Sequence, residues 1–124
     1  MTDDPIRIII ADDNAKVRFA LKVFIELFED FQLIGEACDG SQAVELCQEL
    51  QPDLVLMDLI MPQMDGVAAT GIICERFPNT KILVLTSSID YELITKAMNA
   101  GADGYLFKHV TIDVLEEAIR STVS

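Results

Sequence analysis

The sequence predicts a doubly wound α/β fold, a five-stranded parallel sheet of order 2-1-3-4-5 with helices on both faces. Three observations carry it. Short apolar runs alternate with amphipathic stretches from one end to the other, five times over. The first of them, "IRIIIA", lacks polar alternation, as a strand covered on both faces does. At 124 residues the chain suits one domain, residues 1–124, that buries a core without disulfide staples.

Each element has its own signal. Ile6 to Ala11, "IRIIIA", reads as the first strand, and Asn14 is the expected cap of a helix running to about Glu29. That helix carries Val17, Ala20, Leu21, Phe24 and Phe28 at helical spacing. "QLIGEA" is the second strand, placed at an edge because Gly35 and Glu36 suit a central strand poorly. "DGSQAVELCQELQPD" supplies a turn, a cap at Ser41, a helix and a terminating Pro52. Leu54 to Met57 is the third strand, followed by a loop through Pro62 and a helix from about Gly66 to Phe77. Gly71 weakens that helix by ~1 kcal/mol relative to alanine, so packing must hold it. "KILVLTSS" is the fourth strand, and Ile89 to Ala100 the fourth helix, closed by Gly101 in a left-handed conformation. "GYLFK" is the fifth strand. Thr111 caps a last helix with Ile112, Leu115, Ala118 and Ile119 on one side.

Right-handed crossovers of this length, with the second strand at an edge, place strands one and three side by side at the switch point. Ligands of such sheets bind beyond the carboxyl ends of the strands there.

Bulk properties narrow the functions. Half the residues are apolar and a quarter charged, as in an ordinary soluble globule. No run is long enough to span a membrane, and "MTDDPIR" opens acidic rather than as a signal, so a cytoplasmic location is expected. The net charge of -12 repels phosphate backbones and attracts cations. Cys38, Cys47 and Cys74 lack zinc-site spacing and are expected to be free, mostly buried thiols. Met57, Met61 and Met64 read as core and loop packing, His109 as an exposed loop residue, and Asp3 and Asp4 as an acidic terminus.

Strand one ends in "ADDN" and strand three in Asp58, so Asp12 and Asp13 should emerge beside Asp58. Three adjacent carboxylates require protons or a cation, and an all-oxygen site suits Mg²⁺ or Mn²⁺. Lys108 ends strand five and Thr86 ends strand four. Metal, ammonium and hydroxyl together suit a transferring phosphoryl group, with a carboxylate oxygen as nucleophile. Each residue also has a plainer reading. Asp12, Asp13 and Asn14 could cap the first helix, Asp58 could begin a loop, Thr86 could cap the fourth helix, Lys108 could be solvated and Tyr105 could pack. Their joint placement at one crevice favours function. Asp65 and Gly66 shape a turn and helix start.

"ADD", "LVLMDLIMPQMDG", "VLTSS" and "GADGYLFK", in order at four strand ends, resemble a two-component response-regulator receiver domain over essentially the whole chain. The wording "LIGEACDG", "LVLMDLIMPQMDG" and "GADGYLFK" is most similar to the NarL-type (LuxR-family) transcriptional regulators. The resemblance implies a flavodoxin-like (βα)5 fold and a phosphorelay switch, in which Asp58 accepts a phosphoryl group from a phosphohistidine of a sensor histidine kinase. It implies that Asp13, Asp58 and the Ile60 backbone carbonyl ligate Mg²⁺, with Asp12 binding mainly through water. Lys108 then pairs with the phosphate, Thr86 swings toward it, and the aromatic Tyr105 turns inward. The domain is not an enzyme beyond its own phosphorylation and dephosphorylation. Also implied are a homodimer on phosphorylation through the first and last helices, and DNA binding only through an output domain outside this chain. The chain departs from the family pattern at His109, where proline is usual after the lysine. Ile60 and Ser88 flank the path of attacking water. Two alternatives share the topology: an FMN-binding flavodoxin-like protein, for which "ADDNA" is a repulsive phosphate loop, and a phosphohydrolase with an aspartyl-phosphate intermediate. A third is an unphosphorylated binding platform.

Overall fold

A computed structural model describes residues 4–87 and 90–124. The strands are β1 (Ile6–Ala11), β2 (Phe31–Ala37), β3 (Leu54–Met57), β4 (Lys81–Thr86) and β5 (Gly104–Phe107). The helices are α1 (Ala15–Glu26), α2 (Gly40–Leu50), α3 (Gly66–Arg76), α4 (Tyr91–Ala100) and α5 (Ile112–Val123). All strand pairings are parallel, in the order β2-β1-β3-β4-β5.

Strict alternation along the strands divides the core in two. Ile8, Ile10, Leu54, Leu56, Leu83 and Leu85 face α1 and α5, meeting Phe24, Ile25, Leu115 and Ile119. Ile9, Ala11, Val55, Met57, Ile82 and Val84 face α2, α3 and α4, meeting Cys47, Ile73, Ile94 and Ala97. Burying each large aliphatic chain stabilises the fold by about 1.5–3 kcal/mol. Because both faces are covered, the strands read as unbroken apolar runs.

β2 is an edge strand, as Gly35 and Glu36 suggest, and it carries a bulge: Ile8 pairs with Leu33 but Ile9 with Gly35. Asn14, Asp65 and Thr111 cap α1, α3 and α5 with their side chains. Gly101 closes α4 at φ 120°.

Several expectations are corrected. Asp39, not Ser41, caps α2: its carboxylate accepts from the Gln42 amide at 2.8 Å and the helix starts at Gly40. α1 ends at Glu26 rather than Glu29, because its last turn tightens through Leu27 N–H to Phe24 and Phe28 N–H to Ile25 bonds. Leu21, Phe24, Ile25 and Phe28 pack on the sheet, Val17 is half-buried and Ala20 is exposed. Ile112 likewise points outward from α5. Of the three free thiols only Cys47 is buried, and burial pushes it up to about 12. β4 stops at Thr86 and β5 at Phe107, and Asp90 caps α4. Asp3, Ser88 and Ile89 lie outside the described residues. Met57 and Met61 are buried, Met64 packs against the same core, and His109 is exposed with its ring stacked on Phe107. The Lys108–His109 bond is trans. Among the described residues no helix is long and apolar enough to cross a membrane.

Candidate functional site

The sheet order puts the carboxyl ends of β1 and β3 together, one residue short of the acids. Asp58 N–H donates to the Ala11 carbonyl at 2.9 Å and Asp12 N–H to Ala37 at 3.0 Å, so both aspartates leave the sheet in register. Oxygens of Asp12, Asp13 and Asp58 lie within 4.8 Å of one another. Asp12 and Asp58 are buried, at 2% and 6% exposure, and Asp13 is open to solvent. The capping and functional readings of "ADDN" therefore divide between residues. Asn14 caps α1, accepting from Lys16 N–H and Val17 N–H, and its own amide donates to Asp12 Oδ1 at 2.8 Å.

Lys108 follows β5 and reaches across the crevice. Its Nζ is 2.6 Å from Asp12 Oδ2 and 3.4 Å from Asp58 Oδ2. Burial pushes the Asp58 carboxyl above the usual carboxylate range, with the Asp12 charge adding to it and Lys108 and the Leu59 N–H opposing it. Burial alone would lower Lys108, but hydrogen bonding to Asp12 and the charges of both aspartates hold it above the ordinary lysine value. The site is an acidic cluster with one cation and a surplus of carboxylate.

A cavity of about 440 Å³ opens over this cluster, lined by Asp12, Asp13, Asp58, Ile60, Ser87 and Lys108 among others. Ile60 stands at its rim with an exposed side chain. Thr86 is buried at the end of β4, its carbonyl accepting from Lys108 N–H at 2.9 Å, and Ser87 rather than Thr86 lines the cavity. Tyr105 stands apart on β5, 42% exposed, edge-on to Phe107. Asn14 and Ser87 entered the site without being predicted; each directly follows a strand-end residue that was.

The donor set suits a hard dication. Three carboxylates from two adjacent strand ends, one of them solvent-facing, supply oxygen ligands and leave positions for water and a phosphoryl group.

The loop that follows Asp58 is held by contact at Gly66. Its N–H donates to the Leu59 carbonyl at 2.9 Å, and a Cβ there would lie 2.0 Å from the Asp58 carbonyl oxygen. Gly66→Ala is expected to displace the Asp58–Leu59 peptide and destabilise the fold by about 2–4 kcal/mol, the range of severe overpacking. A denaturant melt with an unchanged midpoint would show that the loop yields freely.

Comparison with known proteins agrees with the fold. The family model described as "Response regulator receiver domain" matches residues 8–120. The transcriptional regulatory protein LiaR of Bacillus subtilis is 45% identical over 116 residues, covering 94% of this chain and 55% of LiaR. The response regulator protein VraR of Staphylococcus saprophyticus is 38% identical over 118 residues, covering 95% and 56%. The chain thus spans about half the length of the curated relatives it matches. The receiver domain of the response regulator NarL from Mycobacterium tuberculosis superposes with a TM-score of 0.92 at 26% identity, covering 98% of each chain. These matches support neither the FMN-binding nor the phosphohydrolase alternative.

Proposed function

This chain belongs to the response regulator receiver domain family, and from that premise we propose that it is a phosphorelay switch whose phosphoacceptor is Asp58. The observation that carries the reading is the meeting of Asp12, Asp13, Asp58 and Lys108 at the carboxyl ends of β1, β3 and β5. Residues 1–124 act as one receiver domain, in a cytoplasmic protein.

A carboxylate oxygen of Asp58 attacks the phosphorus of a phosphohistidine on a sensor histidine kinase. The new P–O bond forms as the P–N bond breaks, and the imidazole leaves with the electron pair and takes up a proton. Lys108, now shared between Asp12 and Asp58, pairs with the incoming phosphoryl oxygens and holds them in line. The Leu59 N–H, 2.9 Å from Asp58 Oδ1, orients the attacking carboxylate. Asp13, Asp58 and the Ile60 carbonyl would hold Mg²⁺, with Asp12 contributing mainly through water, and Mn²⁺ could substitute. A bound dication would neutralise the carboxylates and the phosphoryl oxygens. Thr86 then moves toward the phosphoryl group and Tyr105 turns inward, so one local charge event changes the surface around α4 and β5. The chemistry extends only to the domain's own phosphorylation and dephosphorylation.

Incubation with acetyl phosphate and Mg²⁺ tests the reading. Intact mass is expected to rise by one phosphate, and chelation of the metal or Asp13→Ala to prevent it. Labelling that persists without metal would remove the metal site.

A homodimer on phosphorylation is part of the proposal. Phe19, Val23 and Leu27 form an apolar stripe on α1 at 67%, 46% and 60% exposure, with Ile112 and Val114 exposed on α5. Sedimentation with beryllofluoride is expected to show a doubled mass; an unchanged mass would exclude dimerisation as the activating step. Regulation of transcription would run through a DNA-binding output domain outside these 124 residues, as the net charge of -12 argues against direct contact with DNA.

A further inference from the structure

Arg18 lies on α1 with its side chain only 17% exposed, although it is outside the face that packs on the sheet. Its Nη1 donates to the backbone carbonyl of Asp12 at 2.7 Å, and its Nε lies 3.4 Å from Glu36 Oε1. We infer that Arg18, oriented by Glu36, is a positioning residue that fixes the main chain from which Asp12 and Asp13 project.

The β2 bulge makes this contact available. Phe31 and Leu33 face α1 and α5, so strict alternation would place Gly35 and Ala37 on that side and Glu36 on the other. Instead Ala37 belongs to the core under α2, α3 and α4, and Glu36 meets α1. The register shift at Leu33 and Gly35 reverses the alternation and turns Glu36 toward Arg18. β2 then holds the main chain of Asp12 on both sides of its Cα. The Ala37 carbonyl accepts its N–H at 3.0 Å, and Glu36, through Arg18, holds its carbonyl. At the cluster the guanidinium binds the Asp12 carbonyl and none of the aspartate carboxylates, and its charge is matched by Glu36, so it does not compete with a cation for the aspartates. The carbonyl it holds belongs to the peptide between Asp12 and Asp13, whose orientation sets where Asp13 emerges.

The inference rests on the reading of this cluster as the phosphotransfer site. The experiment compares Arg18→Met, Arg18→Lys, Glu36→Gln and Lys22→Met with the parent chain. Mg²⁺ affinity is measured by calorimetry, and amide exchange is followed by NMR in the metal-free protein. Asn14 is the reporter, since its N–H donates to Asp12 Oδ1. Loss of a charge-assisted hydrogen bond predicts roughly tenfold weaker Mg²⁺ binding and roughly tenfold faster Asn14 exchange in Arg18→Met. Arg18→Lys and Glu36→Gln are expected to fall between it and the parent chain, because each keeps part of the grip. Lys22→Met removes the same charge from an exposed position on α1 and is expected to leave both readouts unchanged. Parent-like Mg²⁺ affinity in Arg18→Met, an equal loss in Lys22→Met, or exchange that quickens equally at Phe77 and Gly101 would each overturn the inference. A parent chain without Mg²⁺ affinity would instead overturn the site reading, while Asn14 exchange would still decide whether Arg18 holds the turn.

Discussion

Asp58→Asn is expected to lose phosphorylation by acetyl phosphate altogether while melting at a higher temperature than the parent chain. The two effects have one origin. Asparagine keeps the shape of the side chain but its neutral amide is no nucleophile, so the acceptor is gone. It also removes a charge that the fold holds at a cost. Asp58 is raised above its ordinary 3.8 by burial first and by Asp12 in addition. The folded protein therefore binds that proton more tightly than the unfolded chain does. Its stabilising contribution is complete below pH 3.8 and is lost as pH climbs through the raised folded value, so at neutral pH the ionised carboxylate opposes folding. Removing it should raise Tm, in the direction set by the raised folded-state value. The variant should also show a flatter dependence of stability on pH between 3.8 and neutrality. Equal labelling of Asp58→Asn and the parent chain would falsify the acceptor assignment; an equal or lower melting temperature at pH 7 without metal would contradict the electrostatic account.

Lys108→Met should produce the opposite stability change. Its ammonium is the cation between two buried carboxylates, 2.6 Å from Asp12 and 3.4 Å from Asp58, and its side chain is only 19% exposed. Removing one partner of a buried pair leaves uncompensated charge, an effect of about 3–5 kcal/mol when fully desolvated and less here because the ammonium touches solvent. Methionine fills similar volume, so the loss reports charge rather than a cavity. In the parent chain the Lys108 contribution is complete below pH 10.5 and fades only as pH rises through its elevated folded value, so it operates throughout the neutral range. A dication compensates the same carboxylates, so Mg²⁺ should raise Tm more in Lys108→Met than in the parent chain. Phosphotransfer should nevertheless slow by on the order of 10²-fold, as when one preorganised donor is removed from a site of developing charge. Thermal melts with and without Mg²⁺, together with labelling rates, decide the matter. An unchanged metal-free melting temperature would mean that Lys108 is not balancing the cluster.

Both predictions concern residues visible before any coordinates. Asp58 follows four apolar residues and precedes a proline-containing loop, a local pattern that marks a strand emerging from the core. Asp12 and Asp13 end an equally apolar run, and the edge character of "QLIGEA" places that run beside the strand of Asp58. Period and strand order are encoded locally, which is why the sequence already brings the acidic ends of β1 and β3 and the basic end of β5 together. Helix rotation is not. Ala20 fits the apolar stripe of α1 as well as Ile25 does by composition, and only docking on the sheet selects Ile25. The cap of α2 moved from Ser41 to Asp39 for a related reason, since either side chain can accept an amide and the path of the preceding strand decides which one does.

Determined by the sequence alone were the five strand and helix units, their order in the sheet, and the identity of the acids and the lysine at the switch point. Those follow from hydrophobic period and turn chemistry, which act over a few residues. The tertiary structure alone decided that Lys108 rests chiefly on Asp12, that Ser87 rather than Thr86 lines the cavity, and that the bulge in β2 turns Glu36 to meet Arg18. Such pairings depend on distances between segments remote in sequence, and one inserted residue in an edge strand is enough to change which face a side chain occupies.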